Sequence, residues 1–193
     1  MTTNWWWVRH GPTHEKAFLG WRDVPADLSD RSAIARLDGF LPKGAVLVSS
    51  DLIRAVATAD VVGAGRERLP HANELREFNF GDWDGLSFEE VAKRDPEKSR
   101  EFWEAPGMVA PPNGESWQGV AARIAPFVVD MNTRFRGRDI VAVAHIGVIM
   151  TQIGMAAGMD PTQAIGHAID NLSVTRMQWD GATWDIGKIN HNP

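Results

Sequence analysis

The chain contains no cysteine. This excludes disulfides, a thiol nucleophile and thiolate metal sites, though it does not fix the compartment. It also lacks an excess of positive charge: 20 Lys and Arg stand against 25 Asp and Glu, a formal net charge of −5. Lys and Arg are scattered, so the balance argues against a general nucleic-acid binder. A small anionic substrate needs only a few cations in one pocket and stays compatible. No apolar run approaches the ~20 residues of a membrane span. Met1-Thr2-Thr3-Asn4 lacks the basic start of a signal peptide. Internal repeats and low-complexity segments are missing too. A soluble cytoplasmic protein with no membrane partner is expected. The 193 residues, 44% of them hydrophobic, suit one domain spanning 1–193 with a sizeable core.

Trp5 to Val8 is apolar without alternation and reads as a strand buried on both faces. Ala45–Val48 and Ile140–Ala144 read the same way. Helical spacing marks Arg31–Phe40, Leu52–Val62, Ser87–Lys93 and Gly147–Ala157, and Ser87 with Glu90 has capping-box spacing. Trp117, Val120, Ile124, Phe127 and Met131 mark a longer helix, which Pro126 should kink or divide. Gly63–His71 and Pro106–Gly114 read as loops. Asp180-Gly181 between Leu172–Trp179 and Thr183–Ile189 is a hairpin signal. The alternation predicts an α/β three-layer sandwich: a mainly parallel central sheet, helices on both faces and a C-terminal hairpin.

Three buried runs end in polar residues: Arg9-His10-Gly11, Ser49-Ser50-Asp51 with Arg54 one turn on, and His145. Ligands in α/β sheets bind outside the carboxyl ends of the strands. If these strands are parallel, Arg9, His10, Arg54 and His145 reach one rim. Such a cation cluster is costly without an anion, and phosphate fits the planar fork of arginine. The Ser49-Ser50-Asp51 stretch favours a helix cap. Helix N-termini after Asp51 and His145 would add N–H groups for the phosphate. His10, His14 and Glu15 are not expected to bind metal, because Pro12 argues against the helix that would align them.

These residues also resemble the histidine phosphatase superfamily, whose members include the phosphoglycerate mutases. Arg9-His10-Gly11-Pro12-Thr13 resembles its opening motif, and Gly20-Trp21-Arg22-Asp23-Val24-Pro25 a stretch of its small phosphatase-like members. Ser49 to Ala55 is similar to its second-arginine motif, and Glu74 to Gly85 to its acidic loop. Asn113-Gly114-Glu115-Ser116 and Ala144-His145 complete the series in the family's order. The resemblance implies a phosphoglycerate mutase-like fold and a phosphomonoesterase acting on a small phosphorylated metabolite, with no cofactor. It implies that His10 becomes phosphohistidine, that Arg9, Arg54 and His145 hold the phosphoryl oxygens, and that Glu77 is the proton donor. The residues alone leave Glu74, Glu77, Asp82 and Asp84 equivalent. Thr13, Lys16, Trp21 and Ile146 are the candidate substrate-binding residues. Trp21 and Trp83 are expected near the substrate mouth, and Trp103 and Trp117 in the core.

Three positions depart from the family's pattern: Pro12 for glutamate, Lys16 for asparagine and Ile146 for glycine. Two alternatives accompany the phosphatase reading. One is a cofactor-dependent phosphoglycerate mutase. The other is a catalytically impaired phosphate-binding or interaction module. The compact chain and its Gly20–Leu28 stretch also resemble α-ribazole phosphatases. Substrate identity and oligomeric state are not encoded legibly.

Overall fold

The computed structural model describes residues 1–193. In chain order the elements are β1 (Thr3–Arg9), α1 (Arg31–Phe40), β2 (Val46–Ser49), α2 (Ile53–Val61), β3 (Glu67–Arg68), α3 (Phe88–Arg94) and α4 (Pro96–Glu104). They continue with α5 (Trp117–Arg134), β4 (Asp139–Ala144), α6 (Ile146–Ala157), α7 (Pro161–Ala164), β5 (Val174–Trp179) and β6 (Trp184–Ile186). The sheet order is β3-β2-β4-β1-β5-β6. β1, β2, β3 and β4 pair in parallel, and β5 and β6 add antiparallel. No helix is long and apolar enough to cross a membrane.

The sheet separates two cores because side chains alternate along a strand. Trp5, Trp7, Val46, Val48, Ile140 and Ala142 face one core with Ile124 of α5 and Ile149 of α6. Val8, Leu47, Val141 and Val143 face the other with Leu37 of α1 and Ala55 and Ala59 of α2. The apolar runs are therefore continuous because both faces are covered. Trp5 and Trp7 stack at 4.9 Å on one face, whereas Trp6 lies under the Arg176 guanidinium on the other.

Several expectations from the sequence change. Pro126 does not divide α5, which runs unbroken from Trp117 to Arg134. Pro126 is exposed, as is Ala122 one turn before it, so the carbonyl the ring leaves unbonded can be met by water. The Gly63–His71 segment contains β3, bonded to β2 through Glu67 N–H to the Ala45 carbonyl (2.9 Å) and Leu69 N–H to that of Leu47 (2.9 Å). Two residues are too few to show a period. Ser49-Ser50-Asp51 does not cap α2. Ser50 hydroxyl meets His145, and Asp51 takes two bonds from Arg76 at 2.7 and 2.6 Å. Asp23, from the distant Gly20–Pro25 stretch, accepts from Ile53 N–H instead (2.7 Å). The capping box at Ser87 and Glu90 forms as expected.

Candidate active site

Register brings the site together. Arg9 lies opposite Ala144, and Ser49 opposite Val143, on adjacent parallel strands. The residues that follow, His10, His145 and Ser50, therefore leave the sheet side by side at its carboxyl edge. His10 N–H continues the ladder to the Ala144 carbonyl (3.1 Å), and the two imidazole centroids are 5.0 Å apart.

His10 is 5% exposed. Its Nδ1 lies 2.7 Å from the Gly11 carbonyl oxygen. A carbonyl only accepts, so Nδ1 carries the proton and Nε2 keeps its lone pair. Gly11 lets Leu28 pack against the loop: a Cβ here would meet Leu28 Cδ2 at 2.6 Å and that side chain would have to shift. Its N–H donates to Thr58 Oγ1 (2.9 Å), which itself donates to the Arg54 carbonyl (2.7 Å). Asn171 Nδ2 donates to the His10 carbonyl at 2.8 Å. The nucleophile candidate is thus fixed from both sides.

Arg54 is fully buried and donates to the Arg22 and Gly20 carbonyls at 3.0 and 2.6 Å. Arg9 donates to the Ile169 carbonyl at 2.6 Å. The Nε atoms of both arginines and Nδ1 of His145 are buried without a protein partner. An unpaired buried polar atom costs about 1–3 kcal/mol, more for a charged guanidinium donor, so the two arginines favour an anion beside them. Neutral carbonyls fix the guanidinium groups without discharging them.

Glu77 is 4% exposed and comes from the loop after a single 3-10 turn, Asn73–Leu75. Its Oε1 accepts from Phe78 N–H (2.9 Å) and Gly147 N–H (3.1 Å), and Oε2 from Gly147 at a longer 3.3 Å. A Cβ at Gly147 would lie 2.5 Å from Oε1, so the glycine lets the carboxyl reach the start of α6. Burial raises the Glu77 pKa against these N–H bonds and the pull of Arg54 and Arg9. A proton held there belongs on Oε2, because Oε1 already accepts twice. The two helix N-termini expected to serve phosphate are thus partly taken by protein carboxylates: Asp23 at α2 and Glu77 at α6.

The Glu77 backbone is clamped as well. Trp21 Nε1 donates to its carbonyl at 2.8 Å and Arg123 at 3.3 Å. Arg123, on α5, also donates to the Glu74 and Arg76 carbonyls and pairs with Glu115 through two 2.9 Å bonds.

A cavity of about 300 Å³ opens beside this cluster. Of the residues expected at the site, Arg9, His10, Glu77, Thr13 and Ile146 line it. Arg54 and His145 are buried beside His10 and off the cavity wall. Lys16 is exposed and Trp21 buttresses Glu77, so neither lines the cavity. Trp83 is also off it, fully buried with Nε1 donating to Asp95 (2.8 Å); Trp117 is buried in the core as expected and also reaches the cavity, whereas Trp103, expected in the core, is partly exposed on the wall. Thr58, Asn171, Glu115 and Arg123 were not legible as site residues. Thr58 carried a signal in sharing a helix face with Arg54 four residues earlier, and Glu115 one in the Asn113-Gly114-Glu115-Ser116 stretch.

Electrostatics make a testable demand on stability. Burial, then Arg54, pushes His10 down to about 3, and burial and the neighbouring His10 hold His145 well below the usual imidazole range. An unfolded chain protonates both near 6.5. The unfolded state therefore binds more protons below that pH, and stability present above about 6.5 is lost as the pH falls toward His10's folded value. Each histidine contributes up to about 1.4 kcal/mol per pH unit in that window. Glu77, whose folded pKa is raised, opposes part of this above its ordinary carboxylate value. Urea midpoints in anion-free buffer should fall from pH 7 to 5, more steeply in wild type than in His10→Ala. Equal slopes would mean His10 is not held neutral by the fold.

The fold and this edge cluster define a three-layer α/β protein with two histidines and two arginines gathered at the carboxyl edge of its sheet. The chain belongs to the histidine phosphatase superfamily, branch 1, whose family model it matches over residues 5–192. It is 31% identical over 197 residues to phosphoglycerate mutase-like protein 4 of Arabidopsis thaliana, covering 95% of this chain and 84% of that protein. It is 33% identical over 166 residues to glucosyl-3-phosphoglycerate phosphatase of Mycolicibacterium vanbaalenii, covering 79% and 73%. The solved structure of Bacillus stearothermophilus YhfR matches with a TM-score of 0.89 at 28% identity, over 98% of this chain and 97% of that one. Against the first curated relatives it matches, mycobacterial proteins 32% identical over 169 residues, the chain spans 44% of their length.

Proposed function

We propose that the chain is a phosphomonoesterase that works through phosphohistidine at His10. One observation carries this reading: His10 lines the cavity with Nδ1 committed to a carbonyl, which frees Nε2 for attack, beside a carboxyl whose burial favours its protonated form. The Nε2 lone pair forms a bond to phosphorus, and the bond from phosphorus to the ester oxygen breaks. Glu77 gives its proton to that oxygen and the alcohol leaves. Glu77, now a carboxylate, takes a proton from water as the water oxygen attacks phosphorus. The N–P bond breaks, His10 recovers its lone pair and inorganic phosphate departs. Arg9, Arg54 and His145 stabilise charge on the phosphoryl oxygens throughout, from positions fixed before the reaction begins.

The cavity wall supports hydrolysis over mutase chemistry. Arg9 is the sole Lys or Arg side chain on it, while Glu15 and Glu77 also face it. A phosphoglycerate carboxylate would find no second cation there.

The intermediate supplies the test. Brief reaction with a phosphate ester labelled in phosphorus should leave label on wild-type protein that survives alkali, is lost in acid, and decays as inorganic phosphate appears. His10→Ala should take up none. If no label forms and no phosphate is released, the reading fails and a non-hydrolytic anion binder remains. Isomerisation of phosphoglycerate with a bisphosphorylated primer, without phosphate release, would favour the mutase.

A further inference from the structure

Beyond the phosphate cluster the cavity changes character: 12 of its 18 lining residues are hydrophobic. Its outer aromatic wall joins Phe88 of α3 and Trp103 of α4 to Phe18, from the loop after β1. Phe18 sits at the centre, with Phe88 at 4.5 Å and Trp103 at 5.9 Å between ring centroids. Phe88 and Trp103 are 58% and 36% exposed, although both belong to this cluster. Large aromatic surface left open beside a polar centre marks a ligand site more often than a packing residue. The wall also shapes charge. A second anionic group on the ligand would be desolvated against these rings with no cation on the wall beyond Arg9; Arg22, the nearby cation, is already paired with Glu15 at 2.6 Å.

We propose that the natural substrate is a phosphate monoester of an apolar alcohol, alkyl or aryl, whose carbon skeleton packs against Phe18, Phe88 and Trp103 while its phosphate meets His10. This rests on the hydrolytic reading above and narrows it to a substrate class. Phosphate fixes one end of the ligand and burial of the apolar end supplies discrimination, which is about fourfold for each fully buried methylene and less for a partly buried one.

The test is a substrate series on the intact protein: n-alkyl phosphates from methyl to octyl, phenyl and naphthyl phosphate, glucose 6-phosphate and 3-phosphoglycerate. kcat/KM should climb roughly two- to fourfold per methylene until the cavity fills. 3-Phosphoglycerate should fall at least tenfold below propyl phosphate. The alkyl and aryl arms decide which skeleton fits better. A flat alkyl series, or 3-phosphoglycerate turned over as well as propyl phosphate, overturns the proposal. Trp103→Ala and Phe88→Ser, both partly exposed and so tolerant of change, should flatten the slope of log kcat/KM against chain length. A slope equal to wild type in both variants overturns the assignment of these rings. If wild type releases phosphate from no ester, the hydrolytic reading fails by itself. Calorimetry with His10→Ala then decides the pocket: octyl phosphate should bind at least tenfold tighter than methyl phosphate, and equal affinity overturns the proposal.

Discussion

His10→Ala should lower phosphate release from a good phosphate ester by on the order of 10⁴-fold or more, with the fold intact. The substitution removes the one nitrogen that can take phosphorus covalently. It leaves Arg9, Arg54 and His145 to bind the anion, so affinity for inorganic phosphate should change far less than turnover. The two effects are separable: kcat by phosphate release, affinity by calorimetry. Below about pH 6.5 the alanine also removes the cost of keeping a buried imidazole neutral beside positive neighbours, which offsets part of the packing it loses. A variant that keeps a tenth of wild-type kcat would mean that another group attacks phosphorus, and water activated by Glu77 would be the remaining candidate.

Glu77→Gln should cost roughly 10²–10⁴-fold in kcat with alkyl phosphates. Glutamine has nearly the same shape, and its carbonyl oxygen can still accept from Phe78 and Gly147 N–H. What it cannot do is release a proton to the departing alkoxide. An aryl phosphate with an acidic phenol needs no such proton, so its first step should slow much less. Its second step still needs a base for water. The variant should therefore show a burst of phenol followed by slow turnover, with phosphohistidine accumulating. The pH profile carries the same logic. Glu77 must be protonated for the first step, and burial raises its pKa. Wild-type kcat/KM with alkyl phosphates should fall on the alkaline side as that proton is lost, and Glu77→Gln should lose this limb. Equal losses on alkyl and aryl esters, with no burst, would reduce Glu77 to a packing role.

The surrounding structure accounts for how a loop carboxyl can be placed so closely. Arg123 binds three carbonyls within four residues of the acidic loop, those of Glu74, Arg76 and Glu77, and Glu115 holds Arg123 and Asn79 N–H together. Trp21 adds a fourth restraint and is itself covered by Arg76 at 4.8 Å. Glu77 sits on irregular backbone, yet its carbonyl and N-terminal neighbours are tied to α5, its carbonyl also to Trp21, and its carboxyl to α6. Preorganisation of this kind is what general acid catalysis requires.

Much of the fold was legible, for a local reason. A strand covered on both faces must be apolar throughout, so Trp5–Val8, Ala45–Val48 and Ile140–Ala144 stand out without knowledge of their neighbours. Helices that bury one face show their period. Polar residues that end an apolar run mark where the strand leaves the core. Pro126 misled because the penalty for proline depends on whether its side of the helix meets water, which spacing does not reveal. Ser49-Ser50-Asp51 misled because these side chains found distant partners stronger than the local helix end.

The sequence by itself determined the chemistry on offer: an Arg9-His10-Gly11 strand end, a second arginine and a second histidine at corresponding places, and a carboxylate-rich loop whose family resemblance singled out Glu77. Tertiary structure alone decided which of these groups share an environment. Parallel register set His10 beside His145, and burial separated Glu77 from Asp82 and Asp84, which pair with Arg94 and the Gly20 and Arg22 N–H groups. It also turned Trp103 toward a cavity and Trp83 into the core. Hydrophobic spacing reports only that a side chain avoids water. Whether it does so against protein or against a ligand depends on what the rest of the chain places opposite it.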